Sequence, residues 1–256
     1  MDKFAFDQFA RLENAHWWFR GRRAVYMTLL RSALGETKPR RVLDLGAGVG
    51  GFPKDLGEIG DRLFFTEYDR SAAQLCSTRF AAQGVRAQAQ QLPFAAGSMG
   101  LISLFDVLEH ITDDERALSE IQRVLEPGGL MVLSVPAHAW LYSRNDEVAG
   151  HVRRYSRTAL MKRVREGGFR IRRCTYANTL LFPAIATIVL AEKALSSIWP
   201  SAIDEKHTNL SLRLPAWADR LLFRVFKSEL LLSRKLDLPL GHSLFLVAEK
   251  VRSPTS

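Results

Sequence analysis

The sequence predicts an α/β fold, a mainly parallel sheet with helices on both faces. Three observations predict it. Short apolar strands alternate with helical stretches from residue 41 to residue 176, a glycine-rich turn directly follows the first strand, and a further apolar strand is read at 243–250. Hydrophobic residues make up 47% of the 256, enough for a sizeable buried core, which excludes a largely disordered chain.

The elements follow in order. Phe4 to Leu34 reads as helix, with apolar residues at Phe6, Phe9, Leu12, Val25 and Leu29, and Lys38-Pro39-Arg40-Arg41 ends it. Arg41–Leu45 is a strand, followed by the glycine turn and a helix. Leu63–Tyr68 is a second strand and Ser71–Ala82 a helix. Leu101–Phe105 is a strand, and Asp113–Leu125 a helix stopped by Pro127-Gly128-Gly129. Leu130–Val135 is a strand ended by Pro136, Thr158–Glu166 a helix closed by Gly167-Gly168, and Phe169–Tyr176 a strand. The connection from Tyr176 to the last strand, Ser243–Lys250, is far longer than a simple link needs. It holds an apolar run, Leu180 to Ala191, too short to span a bilayer before Glu192-Lys193, and a mixed apolar and basic stretch, Trp217 to Leu236. Residues 179–242 therefore read as a helical insert or cap, able to wall an apolar pocket or touch a membrane interface.

The net charge is +9, and it is unevenly placed. Between residues 151 and 173, Arg153, Arg154, Arg157, Lys162, Arg163, Arg165, Arg170, Arg172 and Arg173 face a single acid, Glu166. Such a run attracts phosphates, an anionic membrane surface or an acidic substrate, or is a solvated helix face. Cys76 and Cys174 form no CxxC pair and read as reduced thiols of a cytoplasmic chain, and Met1-Asp2-Lys3-Phe4 has no signal-peptide character. The six histidines and two cysteines show no metal-ligand spacing, so no metal is expected. Oligomeric state is not encoded in any of these features.

Chemistry is signalled first by Asp44-Leu45-Gly46-Ala47-Gly48-Val49-Gly50-Gly51. Glycines after a strand let backbone approach a ligand without a Cβ clash. Gly46, Gly48 and Gly51 fit the dinucleotide pattern GxGxxG, and Asp44, Gly46, Gly48 and Gly50 fit DxGxGxG, so this turn alone leaves two cofactors open. An acid after the second strand, Glu67 or Asp69, can bond ribose hydroxyls, and spacing alone does not choose between them.

Leu92-Pro93-Phe94, Asp106-Val107-Leu108-Glu109-His110 and Arg123-Val124-Leu125-Glu126-Pro127-Gly128-Gly129 then occur in order. With these motifs the chain resembles the class I S-adenosylmethionine (SAM) dependent methyltransferases that act on small molecules, over roughly Val42 to Pro136. His16 to Arg23 and Gly150 to Tyr155 resemble segments of one bacterial branch of that group. The resemblance implies a Rossmann-like sheet, SAM as cofactor, and a division into an N-terminal helical lid (1–40), a SAM-binding core (41–178), the insert (179–242) and a last strand with tail (243–256). It implies that Asp44 orients the methionine amino group and that Gly46, Gly48 and Gly50 admit the backbone. It implies further that Asp69, two residues before Ser71, holds the ribose, that Gln88 accepts from the adenine amine in place of the usual Asp, and that Leu92 packs near the adenine. Asp106, which opens the Asp106 to His110 motif, is expected to contact cofactor or substrate. Met99-Gly100, where relatives read Phe-Asp, is a second departure.

In-line methyl transfer needs alignment and sometimes a base. His110 follows the fourth strand, at the carboxyl edge where open α/β sheets bind ligands, and is a candidate base or substrate contact. Glu109 reads as a helix-start acid. Asp146 with His151 is a candidate acid/base pair. Arg153, Arg154 and Tyr155 are candidates to grip an anionic substrate group, and His16 with Trp17 to cover the pocket. The apolar insert and basic run together suggest a small-molecule or lipid-like acceptor, amphiphilic with an acidic head, and contact with an anionic membrane. RNA methylation is the alternative, against which stand the missing RNA-binding module and Asn-Pro-Pro-Tyr motif. A SAM-binding protein without catalysis is another. A nicotinamide dehydrogenase leaves Leu92-Pro93-Phe94 and the Pro-Gly-Gly turn without a role.

Overall fold

The computed structural model describes residues 10–80, 82–198 and 214–251. Its strands are β1 (Arg41–Leu45), β2 (Arg62–Glu67), β3 (Gln83–Arg86), β4 (Met99–Phe105), β5 (Leu125–Pro136), β6 (Phe169–Ala177) and β7 (Ser243–Lys250). They form one seven-stranded sheet in the order β3-β2-β1-β4-β5-β7-β6. The β1, β2, β3, β4 and β5 pairings are parallel, and β7 runs antiparallel between β5 and β6. The central strands read as continuous apolar runs because both faces are covered. Val42 and Leu101 enter one core with Val25, Leu29 and Phe245, while Leu43 and Ile102 enter the other with Leu118, Ile121 and Leu160.

The first core is capped by α1 (Trp17–Leu34) and α2 (Pro53–Gly57), and the remaining helices of the sheet are α3 (Arg70–Arg79), α4 (Asp114–Val124), α5 (Arg144–Ala149) and α6 (Arg157–Glu166). Val25, Tyr26, Leu29 and Leu30 are all buried, the spacing that puts one helix face against the sheet.

Four expectations need correction. The single helix expected over Phe4–Leu34 breaks in a turn before α1. There His16, in extended conformation, accepts from the Trp18 amide at 3.3 Å and caps the new helix. Phe4, Phe6 and Phe9 lie outside the described residues. The helix expected over Ser71–Ala82 ends at Arg79, leaving room for β3, whose four residues are all exposed and carry no apolar signal. β5 starts at Leu125 rather than Leu130, so the Pro-Gly-Gly turn lies within the strand, beside a register shift between Met99 and Leu101. That shift explains Gly100, where a Cβ would stand 3.0 Å from Glu126 Oε1 and 3.1 Å from Pro39 Cβ.

Residues 179–242 contain α7 (Phe182–Ile198), α8 (Ala216–Ser228) and α9 (Leu230–Ser233). The stretch Trp217–Leu236 carries the last two of these, separated at Glu229. The carboxylate of Glu229 accepts from the amides of Asn178 (2.7 Å) and Thr179 (2.8 Å), so the end of α8 is pinned to the chain just after β6. α8 packs on α1. Phe226 meets the rings of Trp17 and Trp18 at 6.3 and 5.8 Å, and Asp219 accepts from the Trp17 amide (2.7 Å) and Arg20 (3.1 Å). No described helix is long and apolar enough to cross a membrane.

The fourth correction concerns charge. Most of the basic run is taken up in ion pairs: Arg153 and Arg163 with Asp114, Arg170 and Arg172 with Glu249, Arg173 with Asp237, and Arg154 with Asp146. Cys76 and Cys174 are free and buried.

Candidate functional site

The chain runs outward from β1 to β3, then returns to place β4 on the other side of β1. At this switch the loops after β1 and β4 part, which is where open α/β sheets leave a crevice. A cavity of about 1060 Å³ occupies it, entered by residues from β1, β2, β4, the N-terminal helix and the insert.

One end is built by the glycine turn. Gly46 (φ +73°) and Gly48 (φ +55°) are left-handed; a Cβ on Gly46 would overlap Val107, whereas Gly48 faces open space. Glu67 shapes the turn, taking the Gly48 amide at 2.8 Å on one oxygen and the Asp69 amide at 2.9 Å on the other. Asp69 caps α3 through the Ala72 amide (2.9 Å) with one oxygen and lines the cavity beside Glu67 and Gln88. Asp44 is buried, bonded by Ser103 Oγ at 2.8 Å, and has no cation partner among the described residues. Burial, with repulsion from Glu67, pushes its carboxyl up to about 7 against the Ser103 bond.

Two expected cofactor residues stand elsewhere. Gly50 is not in the cavity wall; its glycine is required by φ +99° and by the Phe80 ring, which a Cβ would enter. Leu92 is buried in the core, and the wall there is formed by Ala87 to Gln90. Arg123 clamps the Leu92-Pro93-Phe94 loop by donating to the Phe94 carbonyl (2.9 Å) and the Leu92 carbonyl (3.1 Å), while Glu120 takes the Leu92 amide (2.7 Å). Those two motifs therefore hold one another.

The other end is polar at its floor. Asp106 sits at the carboxyl end of β4 with φ +56°, bonded by Ser134 Oγ at 2.8 Å and ion-paired with Arg22 of α1. The structure joins Asp146 and His151 as expected by sequence. His151 Nδ1 lies 2.7 Å from Asp146 Oδ1, which also receives Arg154 Nε at 2.8 Å, and Asp146 Oδ2 takes the Ser143 amide at 2.8 Å to cap α5. Burial pushes the Asp146 carboxyl up, but the bonds from His151 and Arg154 outweigh it and hold it below the ordinary range. His110 meets His151 edge-on at 4.8 Å, and its Nδ1 is 3.1 Å from the Gly150 carbonyl. Burial, with the neighbouring His151, lowers the His110 imidazole to about 4, so it is neutral.

His16, Trp17 and Arg154 line the cavity as expected. Arg153 and Tyr155 do not: both are bonded to Asp114, at 3.0 and 2.8 Å, away from the cleft. Ile185, Ile188 and Val189 of α7 and Leu222 of α8 supply an apolar wall.

Sequence reasoning missed Glu109 and Arg22. Glu109 is wholly buried and neither carboxylate oxygen meets a hydrogen-bond partner from another described residue. Burial pushes it up to about 8. Its signal was present, an acid beside a histidine at a strand end, but a helix-start acid has the same appearance. Arg22 becomes visible only once α1 is docked.

A family model described as a methyltransferase domain matches residues 18–173, more than half of the 256. A probable S-adenosylmethionine-dependent methyltransferase of Mycolicibacterium smegmatis is 26% identical over 163 residues, 62% of each chain. A sterol 4-C-methyltransferase of Caenorhabditis elegans is 30% identical over 98 residues, 36% of this chain and 29% of that one. The chain thus spans less than two thirds of the length of these curated relatives. The solved structure of YcgJ from Bacillus subtilis shares the fold with a TM-score of 0.59 at 15% identity, covering 90% of this chain and 99% of that one. Sheet order, glycine turn and family match coincide, and the chain belongs to the methyltransferase-domain family.

Proposed function

We propose that this protein transfers the methyl group of SAM to a small-molecule or lipid-like acceptor. The observation that carries the reading is a single cavity joining the glycine turn after β1 to the Glu109, His110 and His151 cluster after β4 and α5.

The residues present fit SAM. The buried Asp44 carboxylate has no cation partner among the described residues and suits the methionine ammonium, and Gly48 faces open space. Asp69 keeps a second oxygen for a ribose hydroxyl, Gln88 offers a carbonyl to the adenine amine, and Asp106 is held toward the cleft by Arg22 and Ser134. Bound there, SAM supplies a methyl group already activated on a sulfonium. His16 and Trp17 then exclude water from above, which strengthens every polar contact inside. His110 and His151 face the acceptor's polar atom, with Asp146 orienting His151. Arg154 contacts an acidic group of the acceptor.

The apolar wall from α7 and α8 supports an acceptor with a hydrocarbon body, and the sterol-methyltransferase relative is in keeping with it. The pairing of the basic run with internal acids favours a small molecule over RNA. Exposed Leu195, Ile198, Trp217 and Leu221 on the insert support contact with an anionic membrane, and flotation with anionic vesicles tests it: protein left at the bottom of the gradient rejects it. The decisive experiment for the function is incubation of tritiated-methyl SAM with lysate fractions. Label in one lipid-like product supports the reading, and label in RNA alone overturns it.

A further inference from the structure

Three groups that sequence spacing did not connect meet at the floor of the cavity. Ligand atoms of Glu109, His110 and His151 all lie within 4.8 Å of one another, and His151 Nε2 is 3.9 Å from Glu109 Oε1. The hydrogen bonds behind them settle which ring nitrogens carry the protons. A carbonyl only accepts, so His110 donates its Nδ1 proton to Gly150, leaving the lone pair on Nε2. The Asp146 carboxylate likewise receives the Nδ1 proton of His151 and leaves its Nε2 lone pair open. Between two imidazole lone pairs stands a buried carboxylate that no other described residue bonds.

We propose that Glu109, His110 and His151 bind a divalent transition-metal cation, of the zinc or iron class, with an open coordination position facing the cavity. Several observations converge on it. An unbonded buried carboxylate is costly, and a cation removes that cost directly. Two imidazoles and one carboxylate make a donor set suited to these metals and leave positions free. The carboxylate behind His151 and the carbonyl behind His110 are the outer partners that fix ring orientation in such sites. The nearby cations do not oppose it, because Arg22 is neutralised by Asp106 and Arg154 by Asp146. Metal–ligand lengths of about 2.0–2.2 Å require the three atoms to close by a fraction of their present spacing, a rotation of the two rings. The open position takes an oxygen of the acceptor. The cation stabilises its anionic form, so its proton passes to water rather than to His151. That role rests on the methyl-transfer reading; the binding itself does not.

The test uses the full chain, stripped with chelator and then titrated with cobalt(II) alone, without SAM. The expected result is a visible absorption that saturates at one cobalt per chain, together with a rise in melting temperature. Glu109→Gln and His110→Gln abolish the absorption. Asp146→Asn weakens cobalt binding by about 10–100-fold through the loosened His151 ring. Cys174→Ala, far from the cluster, leaves it unchanged. Calorimetry with SAM is run on each variant. A variant that binds SAM but not cobalt is folded, and its loss is specific. Wild-type protein that binds SAM but shows no cobalt absorption overturns the inference, as does absorption that survives in both Glu109→Gln and His110→Gln. Cobalt binding without SAM binding leaves the metal site standing and removes the methyl-transfer reading instead.

Discussion

Nδ1 of His151 lies 2.7 Å from Oδ1 of Asp146, and this one contact decides which ring nitrogen carries the proton. Asp146 also anchors Arg154, whose side chain is almost fully buried. Asp146→Asn can no longer fix the His151 tautomer and leaves Arg154 without its charge partner. We expect kcat to fall roughly 100-fold and stability to drop by about 3 kcal/mol, with the affinity for SAM unchanged. Steady-state kinetics and urea unfolding check the two parts separately.

The junction of α1 with α8 makes a second prediction. A Cβ at Gly21 would enter the Phe226 ring, itself buried between Trp17 and Trp18. Gly21→Ala should therefore cost about 1–3 kcal/mol, as an overpacked core does. Thermal unfolding measures it. An unchanged melting temperature would show that α1 does not dock on α8.

Asp44 gives the pH dependence. Its folded-state pKa is raised from 3.8 to about 7 by burial. The native chain thus holds this proton more tightly than the unfolded one, so the contribution to stability is complete below the ordinary value and is lost as pH rises through 7. The methionine ammonium of SAM favours the ionised form. Binding should release a proton and tighten roughly fivefold from pH 6 to pH 7. Calorimetry in buffers of different ionisation enthalpy detects the proton, and Asp44→Asn should bind SAM weakly at every pH.

The apolar wall predicts acceptor selection. Ile185→Trp fills space lined by α7 and should raise KM for the acceptor roughly tenfold while leaving SAM affinity intact. A change in SAM affinity of the same size would place the cofactor, not the acceptor, against the insert.

The elements that carry periodic apolar signal were legible: β1, β4, β6, β7 and α6 lie within a residue or two of their expected bounds. β3 was not, because a strand exposed along its length has no hydrophobic alternation to read. The start of β5 was hidden because Pro127-Gly128-Gly129 has turn composition, and only its pairing with Met99 shows that a strand passes through it. At the site, Asp146 and His151 were close enough in sequence to be paired by eye. Arg153 and Tyr155 were misplaced because residue type alone does not say that Asp114, at the start of α4, receives both. Glu109 escaped because its defining property, the lack of a partner in a buried place, exists only in three dimensions.

The account stands most directly on calorimetry of the purified chain with SAM. One-to-one saturable heat with SAM and with its demethylated product, lost in Gly46→Val, where the side chain would collide with Val107, is the expected result. Folded protein that gives no heat with either, yet gives heat with NADH, would contradict it.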